Sequence, residues 1–131
     1  MKTIVAGSRT GFSFGDIIAG MLQVEWSVDE IVSGGADGVD RHGEEWSECQ
    51  NIPLRTFKAE WGKYGSAAGP KRNLEMVRYA DALVAFWDGQ SKGTRHIIRE
   101  AQKAGLKVAV FVKDHRGYIV ELSEVEGDDR H

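Results

Sequence analysis

The segment Glu30-Ile31-Val32-Ser33-Gly34-Gly35-Ala36-Asp37-Gly38-Val39-Asp40 carries a strand, a tight turn and the start of a helix in immediate succession. Glu30 to Val32 is a short β-branched run and the glycine pair ends it. From about Asp37 toward Gln50, Val39, Gly43 and Trp46 recur on one face at helical spacing. Strand, turn and helix in that order form the repeating unit of a parallel sheet. Working outward, similar apolar runs stand at Thr3 to Ala6, Leu54 to Phe57, Ala82 to Phe86 and Lys107 to Val112, with helical patterns between them. Those around Val84 and Val110 are almost continuously apolar, as strands covered on both faces must be. The expected fold is therefore α/β: a single Rossmann-like, doubly wound domain with a mostly parallel five-stranded sheet flanked by helices.

The remaining helices follow from their caps. Ser13 can cap a first helix with Asp16 closing a capping box, and Ile17, Ile18, Met21 and Leu22 then make the expected buried stripe. A third helix should follow Pro70, whose ring suits a first helical turn, and a fourth should span Thr94 to Ala104 before Gly105. Residues 1–113 are expected to form the domain and residues 114–131 a C-terminal extension. Within that extension, Tyr118 to Leu122 could add an edge strand, and Glu126 to His131 reads as a polar tail.

Composition narrows the chemistry. A chain of 131 residues with 41% hydrophobic and 28% charged residues can bury one core. Its 16 glycines exceed the usual share of about 7%, so many backbone positions are special. The net charge of −3 offers no global positive field for a nucleic acid. A lone Cys49 and the lack of a long apolar run point to a cytoplasmic protein with no membrane association. His42, His96, His115 and His131 are scattered and one cysteine makes no thiolate site, so no protein-held metal is expected. A Mg²⁺ ion accompanying a ligand phosphate would need only one or two carboxylates. No G-x-S-x-G elbow is present and Ser8 has no evident base, so covalent catalysis is not indicated.

In an open α/β sheet, ligands bind beyond the carboxyl ends of the strands, where helix N-termini point free N–H groups into a crevice. The unusual residues fall there: Gly7-Ser8-Arg9, then Ser33 to Gly38, then a long loop from Gly62 to Gly69 leading to Pro70-Lys71-Arg72-Asn73, then Trp87 to Thr94. Gly34, Gly35 and Ala36 could offer successive N–H groups to an anion, with Asp37 either facing the ligand or capping the helix. Lys71 and Arg72, like Arg95 and His96, sit in first helical turns, where the macrodipole already disfavours cations and a bound anion would compensate. Arg9 adds a guanidinium able to grip phosphate bidentately. The competing reading leaves these cations as solvated surface charges or as partners of Asp81 and Asp88. Asp40 and Asp88 could accept from ribose hydroxyls, Ser91, Gly93 and Thr94 could orient the sugar or phosphate, and Trp87 could stack on a base or belong to the core. Trp26, Trp46 and Trp61 read as packing residues.

Taken in order, Ala6-Gly7-Ser8-Arg9, Ser33 to Asp40, Arg72-Asn73-Leu74-Glu75-Met76 and Asp88 to Thr94 resemble the SLOG superfamily, YspA-like branch. The resemblance runs from about Met1 to Val112. It implies a Rossmann-like fold shared with the DNA-processing protein DprA, the cytokinin-activating LOG enzymes and sensors of nucleotide-derived signals. The implied function is binding of a nucleotide or nucleotide-derived ligand, ADP-ribose-like or mononucleotide, for sensing or sequestration. The alternative is LOG-type hydrolysis of nucleoside 5'-monophosphates at the N-glycosidic bond, which uses an arginine in R-K-x-x-M and a glutamate in P-G-G-x-G-T-x-x-E. Here Arg72 and Met76 match the first motif with Asn73 in place of its lysine, and Gly93-Thr94 match the second with Ile97 in place of its glutamate. Arg72 remains a catalytic candidate, with Glu75 or Glu44 as the substitute acid only if the fold brings one to the glycosidic bond. A third reading, single-stranded DNA binding of the DprA type, runs against the acidic balance. Relatives often self-associate, so the resemblance also implies a homo-oligomer.

Overall fold

A computed structural model describes residues 1–123. The apolar runs become β1 (Lys2–Gly7), β2 (Glu30–Ser33), β3 (Leu54–Thr56), β4 (Ala82–Phe86), β5 (Lys107–Lys113) and β6 (Ile119–Leu122) of one sheet, ordered β3-β2-β1-β4-β5-β6. The first five are parallel, and β6 runs antiparallel along β5, with Val112 opposite Val120. The Rossmann-like α/β architecture, with its added edge strand, is thus the one the strand and helix alternation predicts.

Period-two alternation assigns each face of the sheet. Leu83 and Ala85 of β4 join Ile4, Met76, Ile97 and Ile98 in one core cluster; Val84 and Phe86 join Val5, Ile17, Val39 and Phe111 in the other. The first cluster is covered by α4 (Ala68–Tyr79) and α5 (Lys92–Lys103), the second by α1 (Phe14–Met21) and α2 (Val39–Cys49). The chain therefore changes face between α2 and α4 and re-enters the sheet at β4, beside β1. Strand order reverses there, which opens a crevice at the carboxyl ends of β1 and β4.

Several boundaries differ from expectation for identifiable reasons. The Ser13–Asp16 capping box is present, with Asp16 N–H donating to Ser13 Oγ (3.1 Å) and Ser13 N–H to Asp16 Oδ2 (2.9 Å). Of the expected stripe only Ile17 and Met21 are buried, because α1 docks through Ile17, Gly20 and Met21; Ile18 and Leu22 lie about 100° further round, leaving Leu22 81% exposed. Helix α2 starts at Val39, since Gly38 has φ +81° and ψ −126°, outside helical space. Helix α4 starts at Ala68, which still leaves Pro70 in its first turn. The segment from Gly62 to Gly69 is no loop: it forms the short helix α3 (Trp61–Tyr64) and a 3-10 turn (Gly65–Ala67), a helical path its glycines conceal. Helix α5 begins two residues ahead of Thr94 because Ser91 is its cap. The Glu126 to His131 tail lies outside the described residues. Among those described, no helix is long and apolar enough to cross a membrane.

Candidate functional site

A cleft of about 600 Å³ opens where β1 and β4 end. From the β1 and β2 side, Gly7, Ser8, Arg9, Ala36 and Asp40 line it; from α4, Arg72 and Asn73; from the α5 entry, Asp88, Ser91, Gly93 and Thr94. Gly34, Gly35 and Asp37 line an adjoining depression of about 280 Å³, which shares Arg9, Ala36, Trp61 and Arg72 with the cleft. Lys71 and Trp87 line neither of these cavities.

Arg72 organises the inner wall. Its Nη1 donates to the Gly34 carbonyl (2.8 Å) and its Nε to Asn73 Oδ1 (3.1 Å). Asn73 Nδ2 in turn donates to the Gly93 carbonyl (3.3 Å) and to His96 Nδ1 (3.1 Å). An amide nitrogen can only donate, so His96 Nδ1 accepts and the ring proton sits on Nε2, which faces Glu100 Oε2 at 3.8 Å. Asn73, standing where the LOG motif has lysine, thereby ties α4 to the first turn of α5.

The glycine turn serves this wall. A Cβ on Gly34 would lie 2.6 Å from Arg72 Nη1 and 2.9 Å from Asp40 Oδ2, so only glycine leaves room for both side chains. Of the three amides the sequence offered, two are taken, since Gly35 N–H donates to Ser33 Oγ (3.0 Å) and Ala36 N–H to Asp40 Oδ2 (3.2 Å), while that of Gly34 has no protein acceptor among the described residues. Backbone N–H groups are also free at α5, where those of Lys92 and Gly93 have no protein acceptor among the described residues. Thr94 N–H, one residue on, is held by Ser91 Oγ (3.3 Å).

Among the described residues, two carboxylates line the cleft, and their acidities are shifted in opposite directions. Asp40 is 5% exposed, and burial pushes its carboxyl up to about 6, against the Ala36 N–H and the Arg72 charge, which favour the ionised form. Asp88 is exposed and accepts from the N–H groups of Gln90 and Ser91 (2.8 Å each). Although partial burial pulls it upward, those hydrogen bonds hold it below the usual carboxylate range. Asp88 N–H also donates to Ser8 Oγ (3.2 Å), so the turn before α5 is braced onto β1.

Arg72 is drawn down from the ordinary arginine value, first by burial and further by Arg9, while Asp40 opposes the shift. Arg9 is exposed at the lip and forms no ion pair among the described residues.

Other expected residues are placed elsewhere. Lys71 turns outward to Glu75 (2.9 Å), which removes both from the cleft. Glu44 accepts from Ser33 Oγ (2.7 Å), and buried Ile97 occupies the cleft wall where the LOG motif has its glutamate. Neither Glu44 nor Glu75 lines the cleft. Asp37 pairs with Arg41 on the surface (3.5 Å) and caps nothing. Trp87 is 6% exposed, sits in the core cluster and donates its indole N–H to the Ser91 carbonyl (3.1 Å), so it offers no face to a base. The residue missed is Trp61, read from sequence as packing: it is 52% exposed and lines both cavities. Its signal was local, a tryptophan opening the glycine-rich stretch that leads into the cationic turn of α4. Among the described residues, no three His, Cys, Asp or Glu side chains gather as a metal site.

These glycine turns and the switch-point cleft agree with two sequence matches. The model of the YspA, cpYpsA-related SLOG family matches residues 1–64. The Gene 61 protein of Mycobacterium phage D29 is 45% identical over 87 residues, covering 62% of this chain and 70% of the phage protein. By these matches and its fold, the chain belongs to the YspA, cpYpsA-related SLOG family, a membership that supports a nucleotide-related role.

Proposed function

We propose that the cleft binds a phosphate-bearing nucleotide or nucleotide-derived ligand, mononucleotide or ADP-ribose-like, and that the chain senses or sequesters it. The supporting observation is the convergence of Arg9 and Arg72 on one cleft whose α5 rim carries the free N–H groups of Lys92 and Gly93. Arg9, Arg72 and Lys92 outnumber Asp40 and Asp88 in the cleft lining and the α5 N-terminus adds its dipole, so an anion would complete the site. Phosphate would bridge the arginines and the α5 amides, and the Ser91 and Thr94 hydroxyls would meet ribose or remaining phosphate oxygens. A Mg²⁺ ion would enter only with the ligand, beside Asp88. Calorimetry with nucleoside monophosphates, NAD, ADP-ribose and cyclic derivatives, with chromatography of each mixture, tests the reading. Saturable binding with ligand recovered intact is expected; no binding by any of them would sink it.

One observation favours hydrolysis as a second reading. Asp40 is a cleft carboxyl whose proton is held to about pH 6, the property a general acid needs to protonate a departing base. Release of free base by the wild-type chain but not by Asp40→Asn would put this reading first. Self-association is a separate proposal, carried by exposed Ile18 of α1 and Leu22 at its C-cap; sedimentation velocity should show a dimer, and a monomer at tens of micromolar would exclude it.

A further inference from the structure

Helix α3 is four residues long and buries none of them. A helical turn that contributes nothing to the core is unexplained by folding, because short helices draw their stability from a packed apolar face. What α3 does accomplish is to hold Trp61 at the junction of the two cavities, together with Arg9 and Arg72. The indole rests on the first turn of α4, where a Cβ on Gly69 would lie 3.3 Å from its Cη2. Roughly half of it remains in solvent. Met76 and Ile97 also line the cleft but are each 1% exposed, so the indole is the large apolar surface that the cleft offers to a ligand.

We infer that Trp61 is the platform on which a planar base stacks, so that the cleft selects nucleotides over bare sugar phosphates. The inference rests on the phosphate reading above and adds the second half of the ligand. A base on the indole leaves its sugar and phosphate beside Arg9 and Arg72, which line both cavities with Trp61, so one molecule satisfies both kinds of surface. Stacking of this kind tolerates any base, because every base has a π-face.

The test compares ribose 5-phosphate with AMP, GMP, CMP and UMP by calorimetry on the wild-type chain, Trp61→Ala, Trp61→Phe and Arg9→Ala. At least one nucleotide should bind the wild type about 5- to 150-fold tighter than ribose 5-phosphate, the range that stacking supplies. Trp61→Ala should erase that difference while leaving ribose 5-phosphate affinity unchanged, which also shows that the site is still folded. Trp61→Phe should keep most of the difference, and Arg9→Ala should weaken all five ligands alike. Equal binding of ribose 5-phosphate and all four nucleotides would overturn the platform and leave the phosphate reading standing. A preference that survives Trp61→Ala would place the base elsewhere and also overturn it. If none of the five binds, the platform is overturned as stated for mononucleotides, and the phosphate reading then stands or falls on NAD, ADP-ribose and the cyclic derivatives.

Discussion

Arg9 and Arg72 face the same cleft but are held differently, and their substitutions should separate binding from folding. Arg72 donates to Gly34 and Asn73 and supplies the positive charge near Asp40, so Arg72→Ala removes structure together with any ligand contact. It should cost about 1.5–3 kcal/mol in urea denaturation, the range for hydrogen bonds to charged groups. Arg9 is exposed and unpaired among the described residues, so Arg9→Ala should stay within about 0.5 kcal/mol of wild type. The same change should weaken an anionic nucleotide about 10-fold or more. Unchanged affinity in Arg9→Ala would remove it from the site. Asp40 supplies the pH dependence. Its carboxyl titrates near 6 folded and near 3.8 unfolded, so the folded chain holds the extra proton between those values and stability falls as pH rises from 3.8 to about 6. The fall should approach about 3 kcal/mol and level off above it. Asp40→Asn should flatten that slope in denaturation curves recorded across this interval; an unaltered slope would assign it to other groups. An anion beside Arg72 would raise Asp40 further, so wild-type affinity should improve below pH 6 more than Asp40→Asn affinity does.

At the scale of elements, what was legible depended on whether the signal was local. The strands could be read because β-branched runs need little context, and the Ser13–Asp16 box because a cap lies within one helical turn. The outward turn of Ile18 and Leu22 could not be, because which side of α1 docks is decided by Gly20 meeting the Phe86 ring on the sheet face that α1 covers. Helix α3 was hidden by Gly62 and Gly65, whose low propensity suggests a loop although backbone bonds from Lys63 and Tyr64 to Glu60 close the turn. The start of α2 offers the sharpest test at this scale. Gly38 carries φ +81°, and a Cβ there would collide with the Arg9 backbone, so the Arg9 loop and the α2 N-terminus are locked together. Gly38→Ala should therefore destabilise the fold by at least about 2 kcal/mol in urea denaturation, through strain and collision together. A loss below about 0.5 kcal/mol would show that the two segments move independently.

For the whole molecule, the strand alternation alone located the cleft, since in a doubly wound sheet it must open at the carboxyl ends where strand order reverses. The identity of its lining was only partly legible. Gly7, Ser8, Arg9, Arg72 and Thr94 converge as the loops implied, while Trp87 and Lys71 turn away because burial and an ion pair claim them. Trp61 arrives through a helix the sequence concealed. The cleft also joins both halves of the chain: Arg9 and Asp40 come from the loop after β1 and from α2, Arg72 and Thr94 from α4 and α5. A ligand bridging them must be released before the halves separate, so binding should stabilise the entire fold rather than a loop. At a free ligand concentration 100 times Kd the gain is about 2.7 kcal/mol, which for a domain of this size raises Tm by roughly 10 °C. Thermal denaturation with the tightest nucleotide should show that rise for wild type, and Arg9→Ala should show less at the same concentration. A nucleotide that binds by calorimetry yet leaves Tm unmoved at 100 times Kd would have to bind the unfolded chain as well, and would not occupy this cleft.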